Sequence, residues 1–157
     1  MQSEPSLPQK SRGWAVAVHG GAGNSSANAD GCVAAAQLAA AALDDGAAAV
    51  DAAVAAVVRL EDDGRFNAGS GAIVGLDGQT FELDAAVMDS RGTLGAVAGV
   101  GCVRNPVRLA HAVSATPHCL LVGSGAERFA RRIGMPEHRH DPRCAAAAHR
   151  ALVQALG

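Results

Sequence analysis

Two glycine-rich segments hold the residues best suited to frame a reacting group. The apolar run Trp14-Ala15-Val16-Ala17-Val18 leads into His19-Gly20-Gly21-Ala22-Gly23, and Asn67-Ala68-Gly69-Ser70-Gly71 follows far downstream. Glycine reaches positive φ and lets backbone approach a ligand or another chain closely, so a glycine pair at a strand end marks the floor of a site. Neither segment supplies an activated nucleophile. Ser70 and Ser124 lie outside a G-x-S-x-G elbow, which leaves a serine hydrolase unsupported. A P-loop fails because the only lysine is Lys10. Gly123-Ser124-Gly125-Ala126-Glu127-Arg128 has the flanks of a dinucleotide loop but sets arginine at the third glycine, and Gly21-Ala22-Gly23 sets Ser26 there. His138-Arg139-His140 pairs two imidazoles without the further ligands that zinc requires, and reads as a solvated loop. Glu82 and Asp84 alternate with Phe81 and Leu83 as on the solvent side of a strand; with Asp51 they make a weak case for paired catalytic carboxylates. His19 reads as a hydrogen-bonded anchor for the glycine loop, and His118 after Pro117 invites the same reading.

The elements that must position these groups follow from periodicity. Trp14 to Val18 reads as a first strand, and a polar turn, Asn24 to Asp30, leads to a helix from about Gly31 to Leu43, capped by Asp30 or Asn28. Asp44-Asp45-Gly46 breaks it, and a second helix from about Ala47 to Leu60 carries an apolar stripe of Val50, Val54, Val57 and Val58. The two helices form a hairpin on one sheet face. Ile73 to Leu76, Asp77-Gly78 and Thr80 to Met88 read as a hairpin, followed by a strand from Gly95 to Val103. Asn105-Pro106 opens a helix to about Thr116, Cys119 to Val122 is a buried strand, Ala126 to Ile133 is a helix stopped by Gly134, and Asp141-Pro142 opens a last helix from about Arg143 to Leu156. The order implies an α+β chain with helices layered on a largely antiparallel sheet.

Composition narrows the class. The 157 residues, 49% apolar, suit one globular unit burying about two-thirds of its unfolded surface. Three phenylalanines, one tryptophan and no tyrosine leave alanine and glycine to set close helix-on-sheet packing. A net charge of −2 excludes nucleic acid as the main partner. Cysteines at 32, 102, 119 and 144 form no Cys-x-x-Cys pair, which points to a reducing, cytoplasmic compartment. Residues 1–13 read as a flexible leader without the apolar core of a signal peptide. The alanine-rich run from Val33 to Val58 is interrupted by Gln37, Asp44, Asp45 and Asp51, and so reads as a soluble helix pair, not a membrane span.

Six segments in order carry a resemblance. His19 to Gly23, Leu60-Glu61-Asp62-Asp63-Gly64-Arg65-Phe66-Asn67-Ala68-Gly69-Ser70-Gly71, Glu82 to Asp89 with Gly95 to Val100, Arg104-Asn105-Pro106-Val107, Thr116-Pro117-His118 and Gly123 to Ala130 resemble the plant-type (type III) L-asparaginase and isoaspartyl peptidase family, over roughly Trp14 to Gly134. The resemblance implies an N-terminal-nucleophile hydrolase with a four-layered αββα sandwich, of which residues 14–157 supply about half. It implies a precursor that cuts itself before a threonine, with Gly157 at the junction, and a β subunit from the same precursor completing an (αβ)2 heterotetramer. The freed threonine amine, with a reference pKa near about 8, acts as base for its own hydroxyl. That hydroxyl attacks the amide of L-asparagine or the isopeptide carbonyl of a β-aspartyl dipeptide. Oxyanion donors and substrate clamps come from the partner.

Within this chain the resemblance implies that Asn67 orients the nucleophile and that His19, Gly20 and Gly21 form the active-site loop. It implies no organic cofactor and a structural sodium ion on the backbone carbonyls of Leu60, Glu61, Asp63, Phe66, Ala68 and Ser70, a site that residue types alone do not disclose. The sequence departs from the family in its leader, in the short turn 24–30 and in the short alanine-rich segment after Gly134. Two alternatives stand beside this reading: a related threonine protease or glycosylasparaginase, and a non-enzymatic or nucleotide-binding module.

Overall fold

The computed structural model describes residues 13–22 and 24–156. Most of the expected leader, Gly23 of the glycine loop and Gly157 at the expected junction lie outside the described residues.

Among the described residues, five helices and three strands follow in the order α1 (Ala29–Asp44), α2 (Ala49–Glu61), β1 (Leu83–Met88), β2 (Leu94–Val100), α3 (Pro106–Ser114), β3 (Leu120–Val122), α4 (Gly123–Arg132) and α5 (Pro142–Leu156), with single 3-10 turns at Ser26–Asn28 and Gly69–Gly71. Asn28 takes the cap position of α1 but makes no side-chain cap bond, and Asp30 pairs with Arg65 instead. α4 ends as its sequence predicts: Gly134 has φ +76°, and the Gly134 and Met135 N–H groups donate back to Arg131 and Ala130.

The sheet runs β1-β2-β3, with β1 antiparallel to β2 and β2 parallel to β3. It is therefore mixed and not largely antiparallel, because α3 makes the crossover that a parallel pair needs. Register slips by one residue between Leu83↔Val100 and Ala85↔Val97, leaving an extra residue on β2. Gly99 absorbs the bulge at φ +62°, and its N–H donates to Asp84 Oδ1 at 2.8 Å. Asp84 is thus a bulge anchor.

One sheet face carries the main core. Leu83, Val97 and Val100 meet Leu109, Ala110 and Val113 of α3, with Ala126 and Ala130 of α4 beside them. Gly95 of β2 sits so close to α3 that a Cβ there would fall on the Ala110 carbonyl oxygen and the Ser114 nitrogen. A second cluster joins Ala35 and Ala39 of α1 to Ala52, Ala56 and Leu60 of α2 around the ring of Phe66. A third packs Val54 and Val58 of α2 on Val107 and the β1 residues Ala85 and Val87. The expected helix hairpin therefore reaches the sheet through α2.

Three expected strands are corrected. Residues 14–18 join no ladder among the described residues; Val16 and Val18 pack on the α1–α2 cluster and Trp14 Nε1 donates to Asp44 Oδ1 at 3.1 Å. The hairpin at Asp77-Gly78 closes through the Gly75 N–H to Thr80 at 2.8 Å, but the pairing does not extend into an upstream strand. The strand near Cys119 is short and not buried: Leu120 is 50% and Val122 57% exposed.

Candidate functional site

The two glycine segments meet at one open cleft of about 720 Å3, lined by His19, Gly20, Gly21, Phe66, Asn67 and Ser70 among others. His19 Nδ1 accepts the Gly21 N–H at 3.0 Å, and Asn24 Nδ2 donates to the Gly20 carbonyl at 3.1 Å. His19 is therefore the loop anchor its position suggests. The two glycines serve different needs. Gly21 sits at φ +93°, where side chains are strained. Gly20 is required by proximity, since a Cβ there would lie 2.8 Å from Phe66 Cε1 and 2.9 Å from Cys32 Sγ.

Asn67 is exposed, and its Oδ1 accepts the Ile73 N–H at 2.9 Å. That bond fixes χ1 and χ2 and leaves the amide NH2 for a ligand. The turn carrying Asn67 closes back on the end of α2. Gly69, at φ +50°, lies against Glu61, where a Cβ would meet Glu61 Cβ at 2.6 Å and the Glu61 carbonyl oxygen at 2.7 Å. Gly71 lies against the carbonyl oxygens of Phe66 and Gly64.

Three consecutive acids hold this turn, each to a different element. Glu61 is 2% exposed; its Oε1 accepts the Val107 N–H at the start of α3 at 3.1 Å, its Oε2 has no hydrogen-bond partner among the described residues, and burial pushes the carboxyl up to about 7. Asp62 Oδ1 accepts from Arg104 Nε at 2.8 Å and from Asn105 Nδ2 at 3.2 Å. Asp63 pairs with Arg65 and Arg59, which hold its carboxyl down to about 2. Arg65 in turn reaches both carboxylate oxygens of Asp30, at 2.8 and 3.0 Å, and so ties the turn to α1.

Of the six residues expected to offer carbonyls to sodium, Leu60, Phe66, Ala68 and Ser70 line the cleft, whereas Glu61 and Asp63 face its supports. The Leu60, Phe66 and Ala68 carbonyls each accept a backbone N–H, from Asp63, Ala68 and Gly71. A carbonyl oxygen has two lone pairs, so those of Phe66 and Ala68 each retain one for a ligand, whereas Leu60 also receives the Asp62 N–H. The Gly64, Phe66 and Glu61 carbonyls crowd the closing glycines, and such neutral oxygen donors fit a hard cation.

The other candidates disperse. Asp51 Oδ1 lies 3.6 Å from His111 Nε2, Asp84 sits on the outer face of β1, and Glu82 is exposed just before that strand. His118 belongs to the turn after α3, where its N–H donates to Thr116 Oγ1 at 3.1 Å. His138 and His140 are half-buried, their rings edge-to-face at 4.6 Å, with His140 Nε2 3.0 Å from the Val103 carbonyl, which corrects the solvated reading. Among the described residues no three metal-ligating side chains gather. Gly123-Ser124-Gly125 does open α4 directly after β3, but Arg128 Nη1 folds back on Ser124 Oγ at 3.2 Å.

A profile of the asparaginase family matches residues 12–156. The chain belongs to the asparaginase family. It is 45% identical over 130 residues to the isoaspartyl peptidase/L-asparaginase of Homo sapiens and to that of Macaca fascicularis, covering 78% of this chain and 42% of each relative. It is 49% identical over 92 residues to the plant-type L-asparaginase of Pyrococcus furiosus, covering 57% of this chain and 29% of the relative. The chain thus spans less than half the length of the asparaginase-family relatives it matches.

The Glu61 side chain beside the cleft has a role that the sequence reading passed over. A signal was present: Glu61 continues the inward stripe of Val54 and Val58 at helical spacing. The Arg65–Asp30 tie and the Phe66 wedge link residues 35 or more positions apart and have no local signature.

Proposed function

We propose that this chain is the α-subunit portion of a self-cleaving amidohydrolase that converts L-asparagine to L-aspartate and ammonia, cleaves β-aspartyl dipeptides, or both. The observation that carries the reading is the single cleft in which the glycine loop and Asn67 meet. Among the described residues, Ser70 is the hydroxyl lining this cleft, and no described hydrogen bond joins it to an imidazole or carboxylate. In this proposal, as the family resemblance implies, the nucleophile is a threonine at the start of a β subunit from the same precursor, paired as (αβ)2. The apolar outer sheet face supports completion of a four-layered αββα sandwich by that partner.

In this mechanism the threonine amine takes the hydroxyl proton as the oxygen attacks the amide carbon. The tetrahedral intermediate expels ammonia, or the second amino acid, with that proton, and water hydrolyses the ester to release aspartate. Asn67 donates from Nδ2 to the nucleophile's site, and Gly20 and Gly21 let backbone lie against it. The carbonyls of Leu60, Glu61, Asp63, Phe66, Ala68 and Ser70 would hold a sodium ion, whose charge would fix the turn that presents Asn67.

The test is production of the complete precursor, followed by intact mass, N-terminal sequencing, and assays of ammonia from L-asparagine and free aspartate from a β-aspartyl dipeptide. The expected result is two polypeptides, the second beginning with threonine, and hydrolysis of at least one substrate. A single uncut polypeptide without either activity would overturn the proposal.

A further inference from the structure

A buried carboxylate is costly, and Glu61 is buried with one oxygen unpartnered. An apolar side chain at this place would avoid the cost, since Val54, Val58 and Val107 already pack nearby on the same helix faces. What Glu61 adds is direction. Asn105 makes no side-chain cap bond and Pro106 has no N–H, so the first N–H free at the positive end of α3 is that of Val107, and it is spent on Glu61 Oε1. This remote cap fixes the end of α2 to the start of α3 across 46 residues. Gly69 rests on the Cβ and backbone of Glu61, with no room for so much as a methyl group between them. Gly69 is two residues from Asn67, and Asn67 is bonded to Ile73 on the far side of the same turn.

We propose that Glu61 is a positioning residue, whose side chain, clamped by the α3 N-terminus, holds in place the end of α2 on which Gly69 packs and so sets the turn that aims Asn67 into the cleft. The inference deepens the proposed function and rests on it for its kinetic consequence, but the geometric consequence stands without it. Loss of the clamp frees the end of α2 from α3, and Gly69, which packs on the Glu61 backbone and Cβ, moves with it, which shifts Asn67 and opens its bond to the Ile73 amide. A displacement of about 1 Å at an orienting group costs on the order of 10²-fold in turnover.

The experiment uses the complete precursor as Glu61→Ala, Glu61→Gln and, as a control of similar thermal stability away from the cleft, Ala130→Gly in α4. Hydrogen exchange at the Ile73 amide and the kcat and KM for L-asparagine and a β-aspartyl dipeptide are measured for each. Expected are faster exchange at Ile73 and a fall in kcat of at least tenfold with KM within about twofold for Glu61→Ala. Glu61→Gln, which keeps the acceptor for Val107, recovers most of both. Ala130→Gly moves neither. Unchanged Ile73 exchange in Glu61→Ala, or an equal loss in Ala130→Gly, overturns the inference. Wild-type protein without hydrolysis overturns the proposed function instead, and the exchange comparison still decides the role of Glu61.

Discussion

Phe66 fills the space that two glycines leave. Its ring would lie 2.8 Å from a Cβ on Gly20 and 2.6 Å from one on Gly31, so the glycine loop, α1 and the Asn67 turn all register on one side chain. Gly31→Ala should therefore destabilise the protein by about 1–3 kcal/mol, through overpacking against a ring that is 3% exposed. Adding Phe66→Leu should return part of the loss, and a thermal-denaturation double-mutant cycle reads the coupling directly. Asn67 offers a cleaner separation of fold from chemistry. Asn67→Asp keeps an Oδ1 acceptor for the Ile73 N–H and loses the Nδ2 donor. Turnover of L-asparagine should fall by roughly two orders of magnitude with little change in melting temperature. A steady-state assay beside a melting curve checks both halves, and an unaltered kcat would remove Asn67 from the reaction.

Elements were legible wherever local pattern decides them, and illegible where a partner decides. The helices lie within a few residues of their sequence-based bounds because Pro106, Pro142 and Gly134 are local signals. The run at residues 14–18 has strand composition, but a strand is defined by pairing, and no ladder partner lies among the described residues. β3 has an apolar run that suggests burial on both faces, yet only its inner face is covered. The close approach of β2 to α3 makes Gly95 the most demanding position in that layer. Gly95→Ala would set a methyl on helix backbone, and should cost about 3 kcal/mol or more in denaturant titration. The hairpin at 75–80 depends instead on charge. Thr80's hydroxyl, then the Thr80 and Gln79 N–H groups, hold the Asp77 carboxyl down to about 2. A lowered carboxyl stabilises fully above its unfolded value near about 4 and loses that contribution as pH falls toward about 2. Asp77→Asn should therefore melt below wild type at pH 7, and the gap should close between about pH 4 and about pH 2, as thermal scans across that window would show.

At the scale of the whole molecule, the sheet is half covered. Its inner face holds the α3–α4 core, while Met88, Leu94, Leu120 and Val122 stand 74%, 46%, 50% and 57% exposed on the other. Those side chains come from three adjacent strands at matching register, Met88 opposite Leu94 and Leu120 beside Ala96, so they form one surface and not scattered exposures. A partner sheet packed on this face, as the proposed αββα sandwich requires, would bury them at roughly 25 cal/mol per Å2 of apolar area. Two lysines at the centre of that surface would have to lose their hydration or hold the layers apart. Leu120→Lys with Val122→Lys, placed in the complete precursor, should therefore block assembly of the two subunits and hydrolysis together. The inner core is untouched by either change, since both side chains point outward. The same pair of substitutions in the 157-residue chain produced by itself should lower its binding of a hydrophobic dye and its self-association, read by fluorescence and light scattering. Normal assembly and activity in the doubly substituted precursor would mean that the outer face meets solvent in the finished protein, and that the second half of the enzyme docks elsewhere.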